Sequence, residues 1–348
     1  MFSFIVVALF SHLVVAAPAN GGPSIEVGLT SGDSPLSVIS TVSNAGNSDV
    51  SLMKFAPLLA SSPIKHFSVF DATGSALQFG GISAFFDVAS VGGEAWEAIA
   101  AGKSITNNID ITQLYRFPAA GEYTIAASGV FQVLEGTYSM DAVKTSELIE
   151  YTKNLTISLT EDDIATSNAK RALIQKRVEL GTCTSSQSSI FRDDFAGAKR
   201  LATRAIDRTR AKDSNFAVWF GTTEQHYYDY VADTFQKIED ASTVSPTSNI
   251  VANCNDPTNY CSGGLIAYAV HVVGVEGSGE IYTCPSYWNL PPYPTSCSGY
   301  GRADVMLHEL SHFYGTSDNA YGYDAVKQLT PALAAHNADT YMFYARCK

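Results

Sequence analysis

The sequence predicts an α+β protein in two parts, and three observations carry that prediction. Residues 20 to about 165 alternate in the manner of strands and hold no cysteine, whereas all six cysteines lie between Cys183 and Cys347. The cysteine-bearing part opens with two stretches at helical spacing. It then carries an apolar run and a partner run joined by a glycine-rich turn.

In the first part, Ser37-Val38-Ile39-Ser40-Thr41-Val42-Ser43 and residues 123–131 read as strands. Asn44-Ala45-Gly46-Asn47 and Ala119-Ala120-Gly121 supply the turns, so a small all-β sandwich is expected. In the second part, Phe195, Ala196, Ala198, Leu201, Ala202 and Ile206 mark one face of a helix over 190–213, and a second helix is expected over 215–239. Residues 265–273 and 280–284 read as a hairpin across the turn at 276–279. The second part is therefore expected to be mostly helical with a small antiparallel sheet.

Residues 308–312 read His-Glu-Leu-Ser-His. Histidines four apart on a helix differ by about 40° around the axis. Both imidazoles can thus reach one Zn²⁺ from the same face, with Glu309 beside the open coordination position. Asp304 suits the first turn of that helix, and Val305, Met306, Leu307, Leu310 and Phe313 give it an apolar face. Gly315 ends it three residues after His312, which lets the chain turn back with a third ligand. Asp318 is the nearest candidate.

The chain continues Gly315-Thr316-Ser317-Asp318-Asn319-Ala320-Tyr321-Gly322, and with the HExxH pentad this resembles the deuterolysin or aspzincin family of metalloendopeptidases, marked by HExxH followed by GTxDxxYG. The resemblance implies a zincin-like catalytic domain. It further implies His308, His312 and Asp318 as ligands of one Zn²⁺, Glu309 as general base, and Tyr321 as the phenol that steadies the oxyanion. A second layout fits the same residues, the metzincin pattern HExxHxxGxxD; the methionine downstream, Met342, lies in a segment that reads as helix and not as a Met-turn. A catalytically silent zinc-binding protein of the same fold is the reading from another class, and the presence of both Glu309 and Tyr321 speaks against it.

Processing signals accompany the motif. Residues 1–19 carry an apolar core ending in small residues and read as a signal peptide cut near Ala17 or Ala19, which predicts a secreted protein. No later stretch has the length of a membrane span. Two dibasic pairs, Lys170-Arg171 and Lys176-Arg177, stand at the cysteine boundary. Cutting after Lys176-Arg177 by a dibasic processing protease would release a catalytic domain at 178–348 from a mainly β propeptide at 20–177. Its first cysteine would then be sixth, as the family resemblance suggests. Six cysteines in a secreted chain suggest three disulfides, with fifteen pairings open by spacing alone. The resemblance implies Cys183 with Cys254, Cys261 with Cys284, and Cys297 with Cys347. Asn154-Leu155-Thr156 is a glycosylation sequon in the propeptide part.

The expected reaction is hydrolysis of internal peptide bonds by zinc-bound water with Glu309 as base. Residues 178–348 carry 18 acidic and 12 basic side chains, a net charge of −6. That sign favours basic protein substrates and disfavours nucleic acid. A monomer is expected. In the peptidyl-lysine branch of the family an Asn-Ala-Asp segment serves the pocket after the scissile bond; Asp339 matches it, whereas the position three further on is Met342. His226 and His271 are read as structural, and Asp324 as a helix cap.

Overall fold

The computed structural model describes residues 22–347 apart from 61–62, 87–91, 140–141, 144–145, 176–182, 244–248, 262–263 and 273–276. The proposed signal peptide and the Lys176-Arg177 pair lie outside the described residues. Helices and sheets are both present, in agreement with an α+β fold.

The N-terminal unit is built from two antiparallel sheets. β1 (Ile25–Ser31), β2 (Ser37–Asn44) and β7 (Ser104–Asp110) form one, in the order β1-β2-β7. The second is organised on the long strand β8 (Gly121–Glu135), which pairs with β9 (Glu147–Leu159). It also pairs with β3 (Val50–Met53) and β4 (Ser68–Asp71). β6 (Trp96–Ile99) adds to β3. The alternation in β2 buries Val38, Ser40 and Val42 on one side. They meet Val50, Leu52, Val69 and Ile125 within or beside one apolar cluster. Helix α1 (Glu161–Gln175) follows, started by the reciprocal bonds of Thr160 and Asp163. Lys170-Arg171 therefore lies within a helix and not in an extended linker.

In the C-terminal unit, α2 (Ser185–Arg210) begins five residues before the sequence reading, because Thr184 and Gln187 form a capping box. Its buried face carries Phe191, Phe195, Ala198, Ala202 and Ala205. The single helix expected over 215–239 is two, α3 (Asn215–Phe220) and α4 (Gln225–Ala241). Gly221 separates them at φ 65°, a left-handed conformation that stops the first helix. β10 (Ile250–Asn253) pairs in parallel with β12 (Gly279–Thr283), and β12 pairs antiparallel with β11 (Leu265–His271). Then come α5 (Arg302–His312), α6 (Pro331–Ala334) and α7 (Ala338–Arg346). Met342 is buried in α7, in helix and not in a turn.

Three disulfides join Cys183 to Cys254, Cys261 to Cys284 and Cys297 to Cys347, with Cα separations of 5.1, 5.4 and 5.6 Å. The last ties the approach to α5 to the residue after α7. Arg346 reinforces that tie through Asp304 in the first turn of α5 at 2.7 Å. Asp324 is not a helix cap: it precedes a short 3-10 turn whose capping residue is Ala325. Among the described residues, no helix is long and apolar enough to cross a membrane.

One strand of the N-terminal part joins the sheet of the C-terminal unit. β5 (Ile82–Phe86) belongs to the N-terminal part of the chain, yet it pairs antiparallel with β11 and completes a four-stranded sheet β10-β12-β11-β5. Around it a mixed apolar cluster forms, in which Met53, Phe86, Trp96 and Leu134 pack with Leu265, Tyr282 and Tyr321.

Candidate metal centre

Every residue of α5 after Arg302 is buried, because the helix is wedged among α2, α4, α7 and the β11 sheet. The helix ends at Phe313, and Gly315 at φ 99° turns the chain back. An L side chain is strained there, and its Cβ would stand 3.2 Å from the Tyr230 hydroxyl. Ser311 and Thr316 hydroxyls close this reversal at 2.7 Å.

The returning segment is pinned from α7. Asn337, fully buried, accepts the N–H groups of Asn319 at 2.8 Å and Ala320 at 3.0 Å. Ser317 N–H donates to His336 O, and Ala338 N–H donates to Ser317 O. Gly322 N–H donates to Asp339 at 2.8 Å. Asp318 and Tyr321 are thus carried on a loop held at both ends.

Three donor atoms converge as a result. His308 Nε2 and His312 Nε2 are 3.0 Å apart, and Asp318 Oδ1 lies 3.1 Å from the first and 3.4 Å from the second. Tetrahedral donors about 2.0–2.1 Å from one zinc ion are about 3.3 Å from each other, so the spacing fits a single ion. Behind the imidazoles, His308 Nδ1 lies 2.9 Å from Asp339 Oδ1, an ion-pair contact out of line for a hydrogen bond, and His312 Nδ1 lies 3.3 Å from Thr316 O. Such contacts turn both Nε2 atoms inward. Neither carboxylate oxygen of the buried Glu309 has a hydrogen-bond partner in the protein. Two inward-facing imidazoles, a carboxylate and an unpartnered buried acid are a donor set that suits a divalent cation.

The charges are strongly coupled. Burial pushes Glu309 well above the usual carboxylate range, and the Asp318 and Asp339 charges add to that against the opposing pull of His308. Burial alone would lower His308, but the Asp318 and Asp339 carboxylates outweigh it and hold the imidazole at about 10. Burial would raise Asp318, yet the two histidines take it below its ordinary value. The Tyr321 phenol is raised, first by burial and then by the three carboxylates.

Tyr321 donates to Ala84 O at 2.7 Å, and Ala84 N–H donates to Asp318 Oδ2 at 3.2 Å. Phe85 meets His308 edge to face at 4.6 Å between ring centres. Asp339 stands differently from its sequence reading: fully buried behind His308, it faces an imidazole and a backbone N–H rather than an open substrate pocket. Asn337 was not singled out by the sequence, although it stands in the Asn-Ala-Asp segment that drew attention to Asp339. His226 is exposed beside Glu224, and His271 binds Ser83 Oγ at 3.0 Å; neither is in the donor set.

The sequence matches the deuterolysin metalloprotease (M35) family over residues 1–348. Neutral protease 2 of Aspergillus oryzae (strain ATCC 42149 / RIB 40) is 27% identical over 349 residues, covering 97% of this chain and 96% of that protein. Neutral protease 2 homolog MEP6 of Coccidioides posadasii (strain C735) is 27% identical over 314 residues, covering 87% and 85%. A solved zinc peptidase from Grifola frondosa matches 47% of this chain and 96% of its own at 23% identity and a TM-score of 0.37. The chain belongs to the deuterolysin metalloprotease (M35) family and is a zinc metalloendopeptidase.

Proposed function

We propose that the chain is a secreted preproenzyme in which residues 178–348 form a zincin-like catalytic domain, residues 1–19 a signal peptide and residues 20–177 a sandwich-like propeptide removed after Lys176-Arg177. The observation that carries the catalytic part is the convergence of His308, His312 and Asp318 beside the unpartnered carboxylate of Glu309. His308, His312 and Asp318 would hold one Zn²⁺, which supplies a Lewis acid that acidifies water and polarises a carbonyl.

The protein's own groups do the rest. Glu309 takes the proton of the attacking water and passes it to the leaving amine. Burial biases Glu309 towards its neutral form, a bias that a neighbouring cation opposes. Tyr321 donates a hydrogen bond to the carbonyl oxygen of the bond being cut, as it now does to Ala84 O. Asp339 and Thr316 O hold the two imidazoles from behind, which keeps the donor set preorganised. The net charge of −6 on residues 178–348 draws cationic protein substrates at long range.

The experiment removes the metal from processed enzyme with a chelator and follows hydrolysis of casein and of a histone, then restores Zn²⁺. Activity lost and regained, with higher kcat/KM on the histone, supports the reading. Hydrolysis indifferent to chelation contradicts the metal mechanism, and equal turnover of both proteins contradicts the basic preference.

A further inference from the structure

We infer that residues 82–86 occupy the substrate's place in the substrate's orientation, with the Ala84–Phe85 peptide bond where a scissile bond would lie, and that the uncut chain is latent for this reason. The inference rests on the peptidase reading and on the role given there to Tyr321.

β11 has two edges. β12 takes one, and β5 takes the other in a register that sets Tyr268 against Ala84 and Ala267 against Phe85. Main-chain pairing with that second edge is how an extended peptide would bind by strand addition, and one strand excludes another. The contacts of β5 go beyond pairing. The carbonyl that receives the Tyr321 hydroxyl is that of Ala84, and the N–H of the same residue reaches Asp318. Phe85 is fully buried between His308 and Tyr300, with ring centres 4.6 and 5.1 Å away, both edge to face. It lies in the apolar cluster of the C-terminal unit and not in that of its own unit. Phe86 turns to the other side and meets Tyr321 edge to face at 5.8 Å. A strand that only glued two units together has no need to present one carbonyl to Tyr321 and the next side chain to His308.

The test uses the full chain with Arg171→Ala and Arg177→Ala, so that neither dibasic pair is cut, loaded with Zn²⁺ and checked by intact mass. An intramolecular occupant at millimolar effective concentration should hold casein hydrolysis to about one hundredth of the processed enzyme's rate or less. Placed in that background, Ala84→Pro removes the N–H that reaches Asp318, and Phe85→Asp puts a charge in the apolar slot. Phe85→Ala serves if the aspartate variant does not fold. Each is expected to raise the rate of the uncut chain by about tenfold or more as that occupancy is lost, with cooperative unfolding and zinc content retained. Fragments ending at Ala84 and starting at Phe85, formed by addition of one water across that bond, would support the register directly. Full activity of the unsubstituted uncut chain overturns the inference, and so does latency that persists in the folded variants while processed enzyme is active. Processed, zinc-loaded enzyme that cuts nothing overturns the peptidase reading as well, which separates the two failures.

Discussion

Asp339 Oδ1 lies 2.9 Å from His308 Nδ1 while its other oxygen accepts the N–H of Gly322, so one carboxylate holds both an imidazole of the donor set and the loop that carries Asp318. Asp339→Ala should weaken zinc binding by about 10- to 100-fold, the usual cost of losing such a supporting carboxylate. Competition with a chelator measures it. Asp339→Asn keeps an acceptor oxygen and should recover part of the affinity.

Asn337 accepts two loop N–H groups in a site with no solvent exposure. Asn337→Ala leaves both donors unpaired and should cost about 1–3 kcal/mol per donor that finds no water. Chemical denaturation checks this; a loss below about 0.5 kcal/mol would mean that the loop keeps its shape without the amide.

Arg346 pairs with the fully buried Asp304 at 2.7 Å, and burial, opposed by that arginine, sets the Asp304 carboxyl at about 6. Arg346→Ala strands a buried carboxyl and should destabilise by about 3–5 kcal/mol. Removing both partners, Arg346→Met with Asp304→Leu, should cost less than the single change, which a double-mutant cycle resolves.

His271 sits at the seam between the units against Ser83 and Phe79, where burial holds its imidazole down at about 3. The folded value is below the ordinary 6.5, so unfolding takes up a proton between those limits. The stability contributed by neutral His271 is complete above about 6.5 and falls as pH drops towards 3, by at most about 1.4 kcal/mol per pH unit. His271→Gln should flatten the acid limb of the full chain's stability curve by up to that slope. An unchanged slope would place the acid sensitivity elsewhere.

The parts legible in the sequence are those governed by local spacing. Two histidines four apart, a glycine three residues on and a carboxylate three further all lie within eleven residues, so helix geometry and one turn bring them together. The β11–β12 hairpin was legible for the same reason, through its apolar runs and short connection. The break at Gly221 does carry a local signal, a glycine followed by Thr222-Thr223-Glu224-Gln225-His226 without an apolar side chain, and an expectation of one helix over 215–239 passes over it; the left-handed φ of Gly221 makes it a stop. The role of Asp339 depends on how α7 packs behind α5, which periodicity does not encode. The pairing of β5 with β11 joins positions about 180 residues apart in the chain, and Ile82-Ser83-Ala84-Phe85-Phe86 carries no signal that its partner lies in the other unit.

The measurement that tests the central claim most directly compares processed wild type with Glu309→Gln, reading zinc content and casein hydrolysis on the same samples. Glu309 is buried beside the donor set without being one of its three members. Glu309→Gln is therefore expected to retain about one zinc per chain while losing about 100-fold or more in kcat, the contribution of a positioned general base. Zinc-loaded Glu309→Gln enzyme with near wild-type turnover would contradict the account.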